Sequence, residues 1–161
     1  MGKSPNITIE MKYDQKATNP KDAIGGKKLP MHLIPGSAKA AMTLAFLEGA
    51  LKYGKYNWRV AGVRASIYLD AMERHLEKFK NGENCDPVTG VPHLGSIMAC
   101  AAILVDAFIF EKLNDDRPPS GPVSEYIDDL QANVRRLQDK FADCDPHQCT
   151  IEDTQYGLET E

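Results

Sequence analysis

Residues 92–113 read "PHLGSIMACAAILVDAFIFEKL", and this stretch decides the fold. It is apolar almost all the way round a helical period, so a helix here must be covered on every side and lie at the centre of its domain. Pro92 suits the first turn, where no backbone donor is needed. Asp106 breaks the pattern, because an unpaired carboxylate inside "ILVDAFIF" is costly to bury. It needs a partner, and an Arg or Lys is the more ordinary partner, a metal ion the rarer one. His93 and Asp106 lie about 20 Å apart along such a helix, so they belong to different sites.

The segment before it, "SIYLDAMERHLEKFK" at 66–80, predicts a second long helix over about 65–80. Tyr68, Leu69, Met72, Leu76 and Phe79 form a core stripe that also carries His75, while Asp70, Glu73 and Glu77 form a stripe of acids. Acid rows are usually solvated; the alternative is a hard divalent cation, which wants several carboxylate oxygens in one place. A histidine on a core stripe is more often a packing residue than a ligand. The polar exit loop "NGENCDPVTG" adds Glu83 and Asp86 beside His93.

Further out, "LIPGSAKAAMTLAFLEGALKYG" predicts the first helix, started at Pro35, Gly36 and Ser37 and stopped at Gly54. Ala41, Ala45, Glu48, Gly49 and Lys52 share one side of it. Small residues with one acid and one base mean either close helix packing with a Glu48–Lys52 surface pair or a ligand cleft. After the break "NDDRPPSGP", a fourth helix runs over about 124–142, with Ile127, Leu130, Val134, Leu137 and Phe141 at alternating steps of three and four. Such a narrow seam suits another helix, including one from a second subunit. No segment alternates with period two. The expected architecture is all-α, a four-helix bundle over 31–142, with an irregular arm over 1–30 and an acidic tail over 143–161.

Length and charge set outer limits. The 161 residues carry a net charge of −4, which argues against a general nucleic-acid face. No long apolar run suggests a membrane span or a secretory signal, so a cytoplasmic protein is expected. The four cysteines are scattered and do not form a disulfide framework. Cys144, His147 and Cys149 crowd together in the tail, but their spacing fits no common zinc module.

Against that acidic background "KYGKYNWR" at 52–59 is locally basic and aromatic. A nucleotide needs a ring to stack on, an amide for a base edge and cations for phosphates. Tyr53, Tyr56 and Trp58 supply the rings, Asn57 the amide, and Lys52, Lys55 and Arg59 the charge. The plainer alternative is an aromatic helix exit that plugs one end of the bundle.

Four blocks, "NPKDAIGGKKLPMHLIP", "GALKYGKYNWR", "YLDAMERHLEKFKNGENCDPVTGVPHL" and "DDRPPSGP", occur in this order. Together they resemble the phage dATP/dGTP diphosphohydrolase family, the MazZ-type enzymes related to MazG-type all-α nucleoside triphosphate pyrophosphohydrolases. The resemblance implies hydrolysis of dGTP, and of dATP, to the monophosphate and pyrophosphate. It further implies a divalent ion, Mg²⁺ or Mn²⁺, a homo-oligomer (dimer or tetramer) and a role in supplying 2-aminoadenine nucleotides in a phage. MazG-type enzymes carry E-x-x-E and E-x-x-D helices; the nearest counterparts here are Asp70-x-x-Glu73 and Glu83-x-x-Asp86 or the His93 region. Where relatives read H-L-x-H, this chain has Ser96 in the second position. On this reading Glu48, Asp70, Glu73, Glu83 and Asp86 are the metal ligands, with Glu83, Asp86, Arg74 and Lys52 catalytic. Tyr53, Asn57, Trp58, Arg59, His75 and His93 then join Lys52 in binding substrate. Two rival readings are a triphosphohydrolase built on His75 and His93, and a non-catalytic nucleotide-binding or assembly protein.

Overall fold

The computed structural model describes residues 20–153. The chain divides into two compact units that meet at Gly36 and Ser37. In the first, α1 (Pro20–Gly25) is followed by a single 3₁₀ turn at Met31–Leu33. The expected boundary of the arm at residue 30 falls within this unit, and residues 1–19 of the arm lie outside the described residues, as do 154–161 of the tail.

The second unit is built on long helices. These are α2 (Gly36–Tyr53), α4 (Ala65–Lys80), α5 (His93–Ile109) and α6 (Val123–Lys140), with the short α3 (Trp58–Ala61) between the first two. The architecture is all-α, as the sequence predicts, and the four long helices stand where periodicity puts them. Gly54 ends α2 with a φ of 88°, while its N–H bonds back to Ala50 O at 2.9 Å, the left-handed glycine stop read from the sequence.

α4 and α5 form the central hairpin. Their connection is tighter than a long polar loop suggests. Asp86 N donates to Val91 O and His93 N donates to Asn84 O, both at 3.0 Å. The Asp86 carboxylate also accepts the backbone N–H groups of Val88 at 3.0 Å and Thr89 at 2.9 Å. An Asp that binds the backbone two and three residues ahead is a turn former, so "DPVT" closes on itself.

α5 stops earlier than its apolar run predicts. Glu111 has a φ of 55° and Lys112 N bonds to Ala107 O at 2.8 Å, which turns the chain out of the helix. Two residues then become a strand, absent from the sequence reading: β2 (Leu113–Asn114) pairs in parallel with β1 (Val63–Arg64), Val63 opposite Leu113. A two-residue strand leaves no alternation to detect. Gly62 makes the pairing possible, because with its φ of 77° a Cβ there would lie 2.9 Å from Lys112 O. The start of α4 is held from the same place, with Asp116 accepting Ser66 N at 2.8 Å and Ser66 Oγ at 2.6 Å. Ser66 is thus capped by Asp116 from outside the helix.

The core is small. Trp58, Val63 and Ala107 are its buried centre, with Phe46, Tyr68, Ile103, Leu104 and Leu113 packed around them. α2 meets α5 closely at Gly95, where a Cβ would sit 2.5 Å from Ala41 O. Every residue of α6 is exposed except Asn133, which is half-buried. Its apolar seam is therefore uncovered in the single chain.

Candidate active site

A cleft opens between α2, α4 and α5, with α3 closing one end. α2 contributes Ala45, Glu48, Gly49 and Lys52, the small-residue side on which the sequence left room for a ligand. α4 contributes Tyr68 and His75, two turns apart, and α5 contributes Ser96, Ala99, Cys100 and Ile103. Phe46, Tyr53, Asn57 and Trp58 complete the lining. The cavity holds about 200 Å³, below the 300 Å³ or more of a pocket that swallows a drug-sized molecule whole.

The aromatic rings pack on one another. Phe46 and Trp58 have ring centroids 5.8 Å apart, and Tyr56 and Trp58 5.4 Å. Burial of Tyr68 pushes its phenol above the usual range, and burial likewise pushes up the Cys100 thiol. Both groups are neutral at ordinary pH. The lining also carries Glu48 and Lys52, joined at 2.6 Å; Glu48 raises the proton affinity of Lys52.

Asp106 has found the cation that the sequence required. Arg59 Nε and Nη2 donate to its two oxygens at 2.8 Å each, and Trp58 Nε1 donates at 2.6 Å. The Arg59 and Trp58 donors hold the Asp106 carboxyl well down, at about 2. The guanidinium also lies 3.9 Å from the centre of the Phe110 ring. Arg59 was expected among the phosphate-binding residues, but it does not line the cleft. It bolts the end of α3 to α5 and fixes the Trp58 indole.

A second polar chain runs behind the cleft wall. His93 is wholly buried. Its Nε2 lies 2.7 Å from Glu83 Oε1, and its Nδ1 lies 2.9 Å from His75 Nδ1. Lys78 approaches the same Glu83 oxygen at 3.3 Å. The His93 hydrogen bond, followed by Lys78, lowers the pKa of Glu83, and burial lowers that of His75. His93 was expected to touch substrate; it stands behind His75 instead, with both ring nitrogens engaged.

The five expected metal ligands do not gather into one cluster. Glu83 is held by His93 and Lys78, Asp86 by the turn amides, and Glu48 by Lys52. Asp70, Glu73 and Arg74 are exposed on α4 and do not line the cleft. Among the described residues, the group of three His, Cys, Asp or Glu side chains close enough to hold an ion is His147, Cys149 and Asp153, within 4.8 Å of one another. It takes Asp153 in place of the Cys144 that the sequence grouped with the other two.

A family model described as "dATP/dGTP diphosphohydrolase, N-terminal" matches residues 18–117. The chain belongs to this family. No curated protein and no solved structure matches it significantly. The span matched to the dATP/dGTP diphosphohydrolase family holds every residue that lines the cleft, the Asp106 bolt and the Glu83–His93–His75 chain. α6 and the His147–Cys149–Asp153 group fall outside it. Among the described residues, no helix is long and apolar enough to cross a membrane.

Sequence reasoning missed Phe46, Tyr68, Ser96, Ala99, Cys100 and Ile103 as cleft residues. A signal for half of them existed: Ser96, Ala99 and Cys100 repeat on α5 the small-residue spacing of Ala45, Glu48 and Gly49 on α2.

Proposed function

We propose that the chain hydrolyses dGTP and dATP to the deoxynucleoside monophosphate and pyrophosphate. Water adds to the α-phosphorus, the bond to the α–β bridging oxygen breaks, and pyrophosphate leaves. The observation that carries this reading is one cleft lined both by the aromatic rings of Phe46, Tyr53, Trp58 and Tyr68 and by the Glu48–Lys52 pair.

The purine stacks among Phe46, Tyr53, Tyr68 and Trp58, while the Asn57 amide can meet a base edge. Lys52 offsets charge on the phosphate oxygens, where a positioned cation is worth most if it is already in place. Exposed Arg74, whose charge reaches Cys100, supplies a second cation at the rim.

The acids fit a divalent ion in a restricted way. Mg²⁺ is commonly held by one or two carboxylates, with substrate phosphates and waters completing its shell. Glu48 and Asp86 are the two that would hold it, since the charge of each reaches both Lys52 and His75. In the described hydrogen bonds each uses one oxygen only, Glu48 Oε1 and Asp86 Oδ1. When bound, Mg²⁺ or Mn²⁺ shares the phosphate charge and acidifies water. Asp70 and Glu73 have no direct part in this arrangement, and Glu83 acts through His93.

The enzyme would work as a homo-oligomer in the cytoplasm, without nucleic acid or membrane as partner. In a phage that replaces adenine with 2-aminoadenine, the same reaction would supply dGMP and draw down dATP.

The test is to incubate the protein with Mg²⁺ and each of dATP, dGTP, dCTP and dTTP, then separate products by ion exchange. Purine monophosphate plus pyrophosphate is expected. Nucleoside plus triphosphate, or no turnover with any divalent ion, overturns the reading.

A further inference from the structure

Beyond α6 the chain returns to the loop that follows α4. The Ile151 side chain lies against Gly82, where a Cβ on the glycine would meet Ile151 Cδ1 at 2.5 Å. Gly82 has a φ of 88°, so the contact is open to a residue without a Cβ. On either side of Ile151, His147, Cys149 and Asp153 bring a nitrogen, a sulfur and an oxygen within 4.8 Å of one another. Asp153 Oδ1 lies 3.2 Å from His147 Nε2. Its Oδ2 accepts the backbone N–H of Thr150, which turns the first oxygen toward the imidazole.

An ion pair accounts for His147 and Asp153 but not for the thiol beside them. A metal ion accounts for all three. Around a tetrahedral zinc ion, donors about 2.0–2.3 Å from the metal stand roughly 3.3–3.8 Å from one another, so this group closes on an ion with small side-chain movements. A thiolate and an imidazole select zinc over Mg²⁺ and Ca²⁺, which want oxygen alone. The His147-x-Cys149 spacing belongs to no common zinc module, and the fold, not the spacing, brings Asp153 to the other two. We propose that His147, Cys149 and Asp153 bind one zinc ion, with water in the fourth position, and that the ion clasps the tail to the α4–α5 loop at Gly82. Thr150 orients the Asp153 ligand from outside, as partners of metal-bound carboxylates do. The three residues lie beyond the matched span 18–117 and do not line the cleft, so the clasp is independent of the nucleotide reading.

Two measurements on the untagged full chain, with its thiols reduced, test the site and the clasp. In the first, Co²⁺ stands in for zinc and is titrated in excess Mg²⁺, which fills any site made of carboxylates alone. A thiolate-to-cobalt charge-transfer band that saturates at one ion per chain is expected, and Zn²⁺ should bleach it. Cys149→Ser should abolish the band, while Cys85→Ser, Cys100→Ser and Cys144→Ser each leave it in place. His147→Ala should weaken Co²⁺ binding by more than the roughly tenfold that losing an outer partner costs. No band in the wild type, a band that survives Cys149→Ser, or one that is lost in Cys144→Ser overturns the site. In the second, a Glu-specific protease reads the tail through cleavage after Glu152, followed by mass spectrometry. With free Zn²⁺ at about ten times its Kd, that cleavage should slow about tenfold, and Cys149→Ser should remove the protection. Equal cleavage with and without Zn²⁺ in a chain that binds the ion overturns the clasp.

Discussion

A carboxylate in the most apolar helix of the chain has to be answered by something, and Arg59 and Trp58 answer Asp106. Its folded-state pKa of about 2 lies below the roughly 3.9 of a free aspartate. Its contribution to stability is thus fully present above about pH 4 and is lost as pH falls toward 2. Asp106→Asn is expected to lower the melting temperature at neutral pH and to flatten its dependence on acid across that window, read by thermal melts from neutral pH downward. At the same scale, Lys52→Met should cost about a hundredfold in kcat/KM for a purine triphosphate, with an unchanged urea midpoint. Equal activity would remove Lys52 from the phosphate end. The need of Asp106 for a cation was legible from burial cost alone. Which cation it would find was not, because Arg59 lies 47 positions away and its composition-level neighbours read equally well as a phosphate cluster.

Helices α2 and α5 touch at a point where neither presents a large side chain. Gly95 faces the Ala41 carbonyl with no room for a Cβ, and beyond this contact the small residues of both helices line the cleft. Gly95→Val must push backbone against backbone and should destabilise the domain by about 1–3 kcal/mol, measured by urea unfolding, with substrate affinity falling as the cleft changes shape. At this scale the sequence was a good guide to long helices, whose periodicity extends over many turns. It was a poor guide to the Val63–Leu113 pairing and the early end of α5. Both depend on a long-range backbone contact at Gly62 and on the positive φ of Glu111, which no local pattern announces. The five acids expected as metal ligands stand apart in this chain for local reasons: Glu48 is engaged by Lys52 one turn along the same helix, a pair legible in the spacing, Asp86 by the amides of its own turn, and Glu83 by Lys78 and by His93 across the loop.

The whole molecule leaves much apolar surface uncovered. Leu44, Leu47 and Leu51 on α2, Val105, Phe108 and Ile109 on α5, and Ile127, Leu130, Val134 and Leu137 on α6 are all exposed. Apolar residues left exposed in rows along a helix mark an interface where they join into a patch. The α6 seam has the spacing of a helix partner, and a second copy of the chain is its expected occupant. Light scattering should give a mass at least twice that of the chain, and Leu130→Lys with Leu137→Lys should shift it to the monomer. A wild-type monomer would refute the expected oligomer.

The Trp58 indole, fixed by the Asp106 carboxylate, stands between the packed core and the cleft, and it is the chain's sole tryptophan. One fluorophore therefore faces two environments. Its emission will follow unfolding, because losing the core exposes it to water. It will also follow occupancy, because a purine stacked beside it quenches or shifts its light without any label. The protein carries its own optical titration signal, and the same residue that secures the fold reports when the cleft is filled.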